Sequence, residues 1–221
     1  MSPDQTHSTA RVIAFDFDGT LTTRDTFVEF MKAYRGAWRW RARMVRLVPV
    51  FVAYKLGRVD RHAVKRAVVN AVFAGEPIEH VQERARDFAQ NAIPALLRPA
   101  GVARFRERVA ESAGGGPTTV ICSASLSLYL RAFAKGFAVD GGEVPVLACE
   151  LEVDPDTGHC TGRLAGLNVW GPNKVRVLAS HFDASKLRIV EAYGDSEGDR
   201  QMLEAAETAY WRPFRAPVRL G

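Results

Sequence analysis

The stretch V-I-A-F-D-F-D-G-T-L-T, residues Val12 to Thr22, decides the fold. Four apolar residues, Val12 to Phe15, run straight into Asp16. Such a run suits a short strand buried on both faces, as in a parallel sheet covered by helices. Asp16 and Asp18 stand two apart, and alternate side chains of a strand point the same way, so both can enter one site. Gly19 and Thr20 then mark a sharp turn. Ligands of parallel α/β sheets bind at the carboxyl ends of the strands. Two carboxylates this close repel unless a cation offsets them, and Mg²⁺ favours one or two carboxylates plus phosphate oxygens.

Outward from this stretch, residues 26–94 read as helical. Phe27, Phe30, Met31 and Tyr34 form one helical stripe, and Asp60 can N-cap a helix packed through Ala63, Val64, Ala67, Val68 and Ala71. Pro49 is expected to kink or break a helix. Ile78 to Ala95 reads as a further amphipathic helix. Beyond it, a helix over 101–112 precedes a strand from Thr118 to Cys122, closed by Ser123. A helix is expected from Leu126 to Phe133, and Val144 to Val153 is β-like. Asp154 to Gly158 signals a hairpin turn. A helix from Lys174 to Phe182, a strand from Leu187 to Tyr193, a helix from about Asp199 and a short strand from Ala209 to Trp211 complete the chain. The alternation predicts an α/β fold: a Rossmann-like parallel sheet core, residues 8–25 and 95–221, with a helical cap, residues 26–94, inserted after the first strand.

Three further places carry candidate chemistry. Ser123 ends an apolar strand, where its hydroxyl can donate to a phosphate oxygen or cap the next helix. Lys174 opens a helix after Gly171-Pro172-Asn173; a solvated surface lysine is the default reading. Gly194 to Asp199, G-D-S-E-G-D, sets Asp195 and Asp199 at the end of another strand. Two acidic clusters at two strand ends are hard to explain without a cation.

Taken in order, D-F-D-G-T-L-T, Ser123, Lys174 and G-D-S-E-G-D resemble the four motifs of the haloacid dehalogenase-like (HAD) phosphatases. The resemblance implies Asp16 as nucleophile and Asp18 as general acid/base in a phosphomonoesterase working through an aspartyl-phosphate. It implies phosphate contacts from Ser123, Lys174 and the backbone of Phe17 to Gly19. It implies Mg²⁺ held by Asp16, the Asp18 backbone carbonyl and Asp195, with Asp199 either a direct ligand or acting from behind one. Family dehalogenases lack the second aspartate, so Asp18 argues against dehalogenation. The branch with a cap after the first strand, which includes phosphoserine phosphatase and the C-type phosphatidylglycerophosphatase, matches best. Two positions depart from phosphoserine phosphatases: Asp25 stands where a substrate-binding glutamate is expected, and Gly198 where asparagine is common. Asp25, Ala124 and Ser125 are the candidate substrate contacts. A small or lipid phosphate monoester is the expected substrate; a phosphoserine phosphatase-like enzyme of amino-acid metabolism and a non-catalytic binding protein are the alternatives.

Charge is uneven. Residues 31–66 hold eleven Lys/Arg against one acid, Asp60, whereas the whole chain is only +5. Arg39, Arg41, Arg43 and Arg46 interleave with Trp38 and Trp40 ahead of an apolar run. Two readings stay open: a cap helix with a solvated basic face, or peripheral contact of residues 35–58 with an anionic membrane. No nucleic-acid motif accompanies the charge, so no nucleic-acid partner is expected. No apolar run approaches the ~20 residues that span a bilayer. The polar start, Met1 to Ala10, reads as a loose tail without a signal peptide's apolar centre. Three cysteines without metal-type spacing suit reduced thiols, and the expected location is cytoplasmic, with the inner membrane surface as the place of any peripheral contact. The five histidines form no ligand set.

Overall fold

The computed structural model describes residues 9–139 and 141–215. The tail expected from Met1 lies, as far as Ser8, outside the described residues, as do Asp140 and residues 216–221. Six strands form one sheet: β1 (Ala10–Phe15), β2 (Thr118–Leu126), β3 (Val146–Val153), β4 (Cys160–Ala165), β5 (Leu187–Gly194) and β6 (Thr208–Trp211). Their spatial order is β4-β3-β2-β1-β5-β6. All neighbours pair parallel except the β3–β4 hairpin. The sheet grows outward from β1 to β4, then crosses to the other side of β1 for β5 and β6. That reversal opens a crevice at the carboxyl ends of β1 and β5, where ligands of such sheets bind. Val12, Ala14 and Phe15 are wholly buried and Ile13 nearly so, because both faces of β1 are covered. Phe15 stacks on Tyr193 at 4.1 Å between ring centroids and meets Phe105 edge-on.

Between β1 and β2 the chain forms α1 (Thr26–Arg35), α2 (Ala37–Arg46), α3 (Val48–Lys55), α4 (Arg61–Phe73) and α5 (Ile78–Asn91), then a 3₁₀ turn, Ile93–Leu96. Pro49 lies in the first turn of α3, so the expected break becomes a helix start, where a missing N–H costs nothing. The α5 helix stops at Asn91, short of the expected Ala95. Pro94 has no N–H for the carbonyl four residues back and its ring crowds that carbonyl. Asp60 does cap α4, accepting the Ala63 N–H at 2.7 Å. The buried face of α4 is Val68, Val69, Val72 and Phe73, however, with Ala63, Val64, Ala67 and Ala71 half-buried. The helix is packed along two sides, against β4 and α3, which turns and widens its buried stripe. The α4–α5 connection is bonded to the hairpin backbone: Gly75 N–H to Cys160 O, Cys160 N–H to Glu76 O and Ile78 N–H to Gly158 O, at 2.8–3.0 Å.

Helices α2 and α3 contain no fully buried residue. Trp40, Met44 and Phe51 face inward, while Trp38 is 80% exposed. The expected basic face is also divided. Arg39, Arg41 and Arg46 are exposed, whereas Arg43 donates to Ala71 O at 2.9 Å and Arg35 donates to Val72 O. These two guanidiniums satisfy the last carbonyls of α4 and complement its dipole.

The remaining helices, α6 (Pro99–Ala113), α7 (Ser127–Ala134), α8 (Pro172–Phe182) and α9 (Arg200–Glu204), pack against the sheet. Strand β2 continues past Ser123 to Leu126, so α7 begins at Ser127 and Ser123 does not cap it. Lys174 lies in the first turn of α8, and a 3₁₀ turn, Glu197–Asp199, carries the last acid into α9.

Candidate active site

Asp16 leaves β1 with its N–H bonded to Tyr193 O at 2.9 Å, which ties the ends of β1 and β5 together. Its carboxylate accepts Lys174 Nζ at 2.6 Å and Thr20 Oγ1 at 3.1 Å. Lys174 is 1% exposed, the opposite of the surface default for lysine. Its amine also donates to Cys122 O at 2.7 Å and pairs with Asp199 Oδ1 at 2.6 Å. Burial alone would lower the ammonium's pKa, but the Asp16 and Asp199 carboxylates outweigh it and hold the amine above its ordinary value. Asp199 is likewise held below its usual range: burial is outweighed by Lys174 and by the N–H groups of Ser196 and Asp195. Asp16 moves the other way, raised by burial against the pull of Lys174, with the charges of Asp199 and Asp18 adding to the rise.

Asp195 follows β5 directly and completes the cluster. Carboxylate oxygens of Asp16, Asp195 and Asp199 lie within 4.8 Å of one another. Gly19 makes this approach feasible: its φ is 77°, and a Cβ there would come within 2.3 Å of Asp195 Oδ2. Arg215 pairs with the same carboxylate, and Arg212 Nε donates to Asp195 O at 3.0 Å. Three hard oxygen donors, gathered from two strand ends with one buried ammonium among them, fit Mg²⁺.

Asp18 does not join the cluster with its side chain. Oδ1 accepts the Thr26 N–H at 2.7 Å and the Thr26 hydroxyl; Oδ2 accepts the Ser125 hydroxyl. Burial and the Asp25 charge raise this carboxyl to about 6, against the opposing hydrogen bonds from Ser125 and Thr26. A carboxyl near neutrality suits proton transfer in both directions. Phe17 buries its ring edge-on to Phe133, so only its backbone can serve the site. The Gly19 N–H donates to Thr22 Oγ1 at 3.2 Å rather than standing free for a phosphate. Ser123 is buried and accepts the Ser125 N–H at 3.1 Å.

A cavity of about 310 Å³ is lined by Asp16, Asp18, Ser123, Lys174, Asp195 and Asp199, among others. The expected catalytic and metal residues therefore meet in one place. A second cavity, about 320 Å³, lies beside it. Asp18, Asp25, Arg61, Ala124 and Trp170 line both, and Ser125 lines the second. Asp25 and Ala124 thus lie at the seam and Ser125 on the second cavity beside it, although the Asp25 carboxylate also caps α1 by accepting the Val28 N–H at 3.0 Å. Gly198 has a local reason: a Cβ there would come within 2.3 Å of Trp170 Nε1, so the indole occupies the space of an asparagine side chain. Thr20, Thr26, Arg61, Trp170 and Arg215 are site residues the motifs did not point to. Only Thr20 lies inside a motif.

Comparisons with known proteins bear on this geometry. The family model described as haloacid dehalogenase-like hydrolase matches residues 13–204. Protein CicA of Caulobacter vibrioides is 37% identical over 204 residues, covering 92% of this chain and 86% of that protein. Among solved structures, a Bordetella pertussis Tohama I protein of unknown function has a TM-score of 0.67 at 21% identity, over 90% of this chain and 87% of that one. A probable phosphoserine phosphatase from Vibrio cholerae has a TM-score of 0.61 at 19% identity, over 91% of this chain and 55% of that one. These last two are likenesses of fold.

Proposed function

Since the chain belongs to the haloacid dehalogenase-like hydrolases, we propose that it is a magnesium-dependent phosphomonoesterase working through an aspartyl-phosphate on Asp16. The observation that carries this reading is the buried group of Asp16, Asp195 and Asp199 around Lys174. Asp16, Asp195, Asp199 and the Asp18 backbone carbonyl would hold Mg²⁺, which supplies charge neutralisation for the phosphoryl oxygens. Asp16 attacks phosphorus in line with the leaving oxygen. Asp18 protonates the leaving alcohol and then takes a proton from the water that cleaves the acyl phosphate. Its support is geometric: Asp18 lies at the seam of the two cavities, where an ester oxygen joins phosphate to the rest of a substrate. Lys174 offsets the charge on Asp16, and Ser123 donates to a phosphate oxygen. Helical residues 26–94 act as the cap that covers the phosphate. Incubation with p-nitrophenyl phosphate tests the chemistry: phosphate release is expected with Mg²⁺ and is expected to vanish with a chelator. Release that persists undiminished in the chelator would contradict the metal role.

The second element of the reading is peripheral contact of α2 and α3 with an anionic membrane on the cytoplasmic side. Among the described residues no helix is long and apolar enough to cross a membrane. Trp38, Val45, Val48, Val52, Tyr54 and Leu56 are exposed on or beside these helices, with Arg39, Arg41 and Arg46 among them. Exposed apolar and cationic side chains on these two helices support interfacial binding. Sedimentation with phosphatidylglycerol vesicles is expected to remove the protein from the supernatant at low salt and less so at high salt. A protein left in solution at both salt levels would count against the contact.

A further inference from the structure

The second cavity differs in character from the first. Phe27 of α1, Trp40 and Met44 of α2, Phe51 of α3, and Val64 and Val68 of α4 supply most of its apolar side chains. Every one of these residues belongs to the cap helices, so the cap gives this space its chemistry. We infer that this cavity is the leaving-group subsite for an amphiphilic phosphate monoester, one whose ester oxygen carries an apolar chain. The inference rests on the phosphatase reading above.

Three observations favour an apolar chain over a small polar alcohol. First, the cavity adjoins the one that holds the carboxylate cluster, sharing Asp18, Arg61 and Ala124 with it. A group entering it is bonded to the phosphate and need not bind independently. Second, the lysine on its wall is engaged. Lys65 donates to Ala124 O and to Cys149 Sγ and lies 4.7 Å over the Phe27 ring. Arg61 lies 5.5 Å over Trp170, and the Asp25 carboxylate caps α1. Binding a polar head through Lys65 would break its bonds to Ala124 O and Cys149 Sγ, whereas an apolar chain leaves them intact. Third, the volume of about 320 Å³ sets a length. At about 30 Å³ for a water-sized atom, it holds roughly ten non-hydrogen atoms. A longer chain must pass beyond it, and the outer faces of α2 and α3 expose the apolar side chains that would receive the excess.

The test is hydrolysis of ethyl, butyl, hexyl and octyl phosphate, with phosphoserine alongside. A buried methylene is worth roughly fourfold in affinity. The expected result is kcat/KM rising by about that factor per methylene until the cavity is full. Met44→Asp and Phe51→Glu, each adding a charge to the wall, are expected to flatten the slope with chain length. Both positions are half-buried, on helices without fully buried residues, so the variants are expected to fold. Equal rates across the series, with ethyl phosphate measurably hydrolysed, overturn the subsite and leave the phosphatase reading standing. Faster turnover of phosphoserine than of octyl phosphate also overturns it. If no ester is hydrolysed, the phosphatase reading fails, and binding decides the subsite. Octylphosphonate, followed by tryptophan fluorescence from Trp40 and Trp170, must then bind more tightly than ethylphosphonate; equal affinity overturns the inference.

Discussion

Asp16→Asn is expected to abolish phosphate release, lowering kcat by about four orders of magnitude or more, as removal of a covalent nucleophile does in other enzymes. Asparagine keeps the shape of the side chain but cannot form the acyl phosphate. The variant should keep its thermal midpoint, because Lys174 retains Asp199 at 2.6 Å and Cys122 O at 2.7 Å. The loss would then be chemical and not a consequence of unfolding. A midpoint near wild type together with kcat within tenfold of wild type would remove Asp16 from the role of nucleophile.

Lys174→Met is expected to fail in a different way. The amine is the only lysine or arginine among the described residues within 4.0 Å of the carboxylates of Asp16 and Asp199. Removing one partner of a buried ion pair costs about 3–5 kcal/mol, since the other charge stays buried without compensation. For a chain of this length that lowers the midpoint by roughly 10 °C in a chelating buffer. Magnesium, by neutralising the same carboxylates, should recover part of the midpoint without recovering turnover, because Asp16 would still lack its lysine partner. The comparison is a melting curve with and without Mg²⁺ for both variants. An unchanged midpoint for Lys174→Met in the chelator would mean that the acids are not held together by this amine.

These residues were legible in the sequence for a local reason. Asp16 and Ser123 each follow an apolar run, and Asp195 follows a mixed run ending in Gly194, so their places at or near strand ends are readable locally. Asp199 and Lys174 sit in or before the first turn of short helices, again a local pattern. The same reading could not find Thr26, Arg61, Trp170 or Arg215. They reach the site from four separate elements or loops, and only the packing of those elements brings them near. The burial of Lys174 was equally invisible, because a lysine's surroundings are set by residues far along the chain. The α4 stripe departs in part from the expected one for the same reason: Val68 is buried as expected, but the stripe turns toward Val69, Val72 and Phe73. Periodicity gives the helix but not how many neighbours it has, and α4 has them on two sides. The division of the arginines, with Arg35 and Arg43 spent on the end of α4, follows from how α1 and α2 lie across that end.

The three backbone bonds between the α4–α5 connection and the β3–β4 hairpin restrict how the enzyme can admit and release its reactants. An insertion stitched down at that point cannot hinge away as one rigid flap without tearing main-chain bonds. Opening is then expected at α2 and α3, the two helices without a fully buried residue, while the rest stays seated.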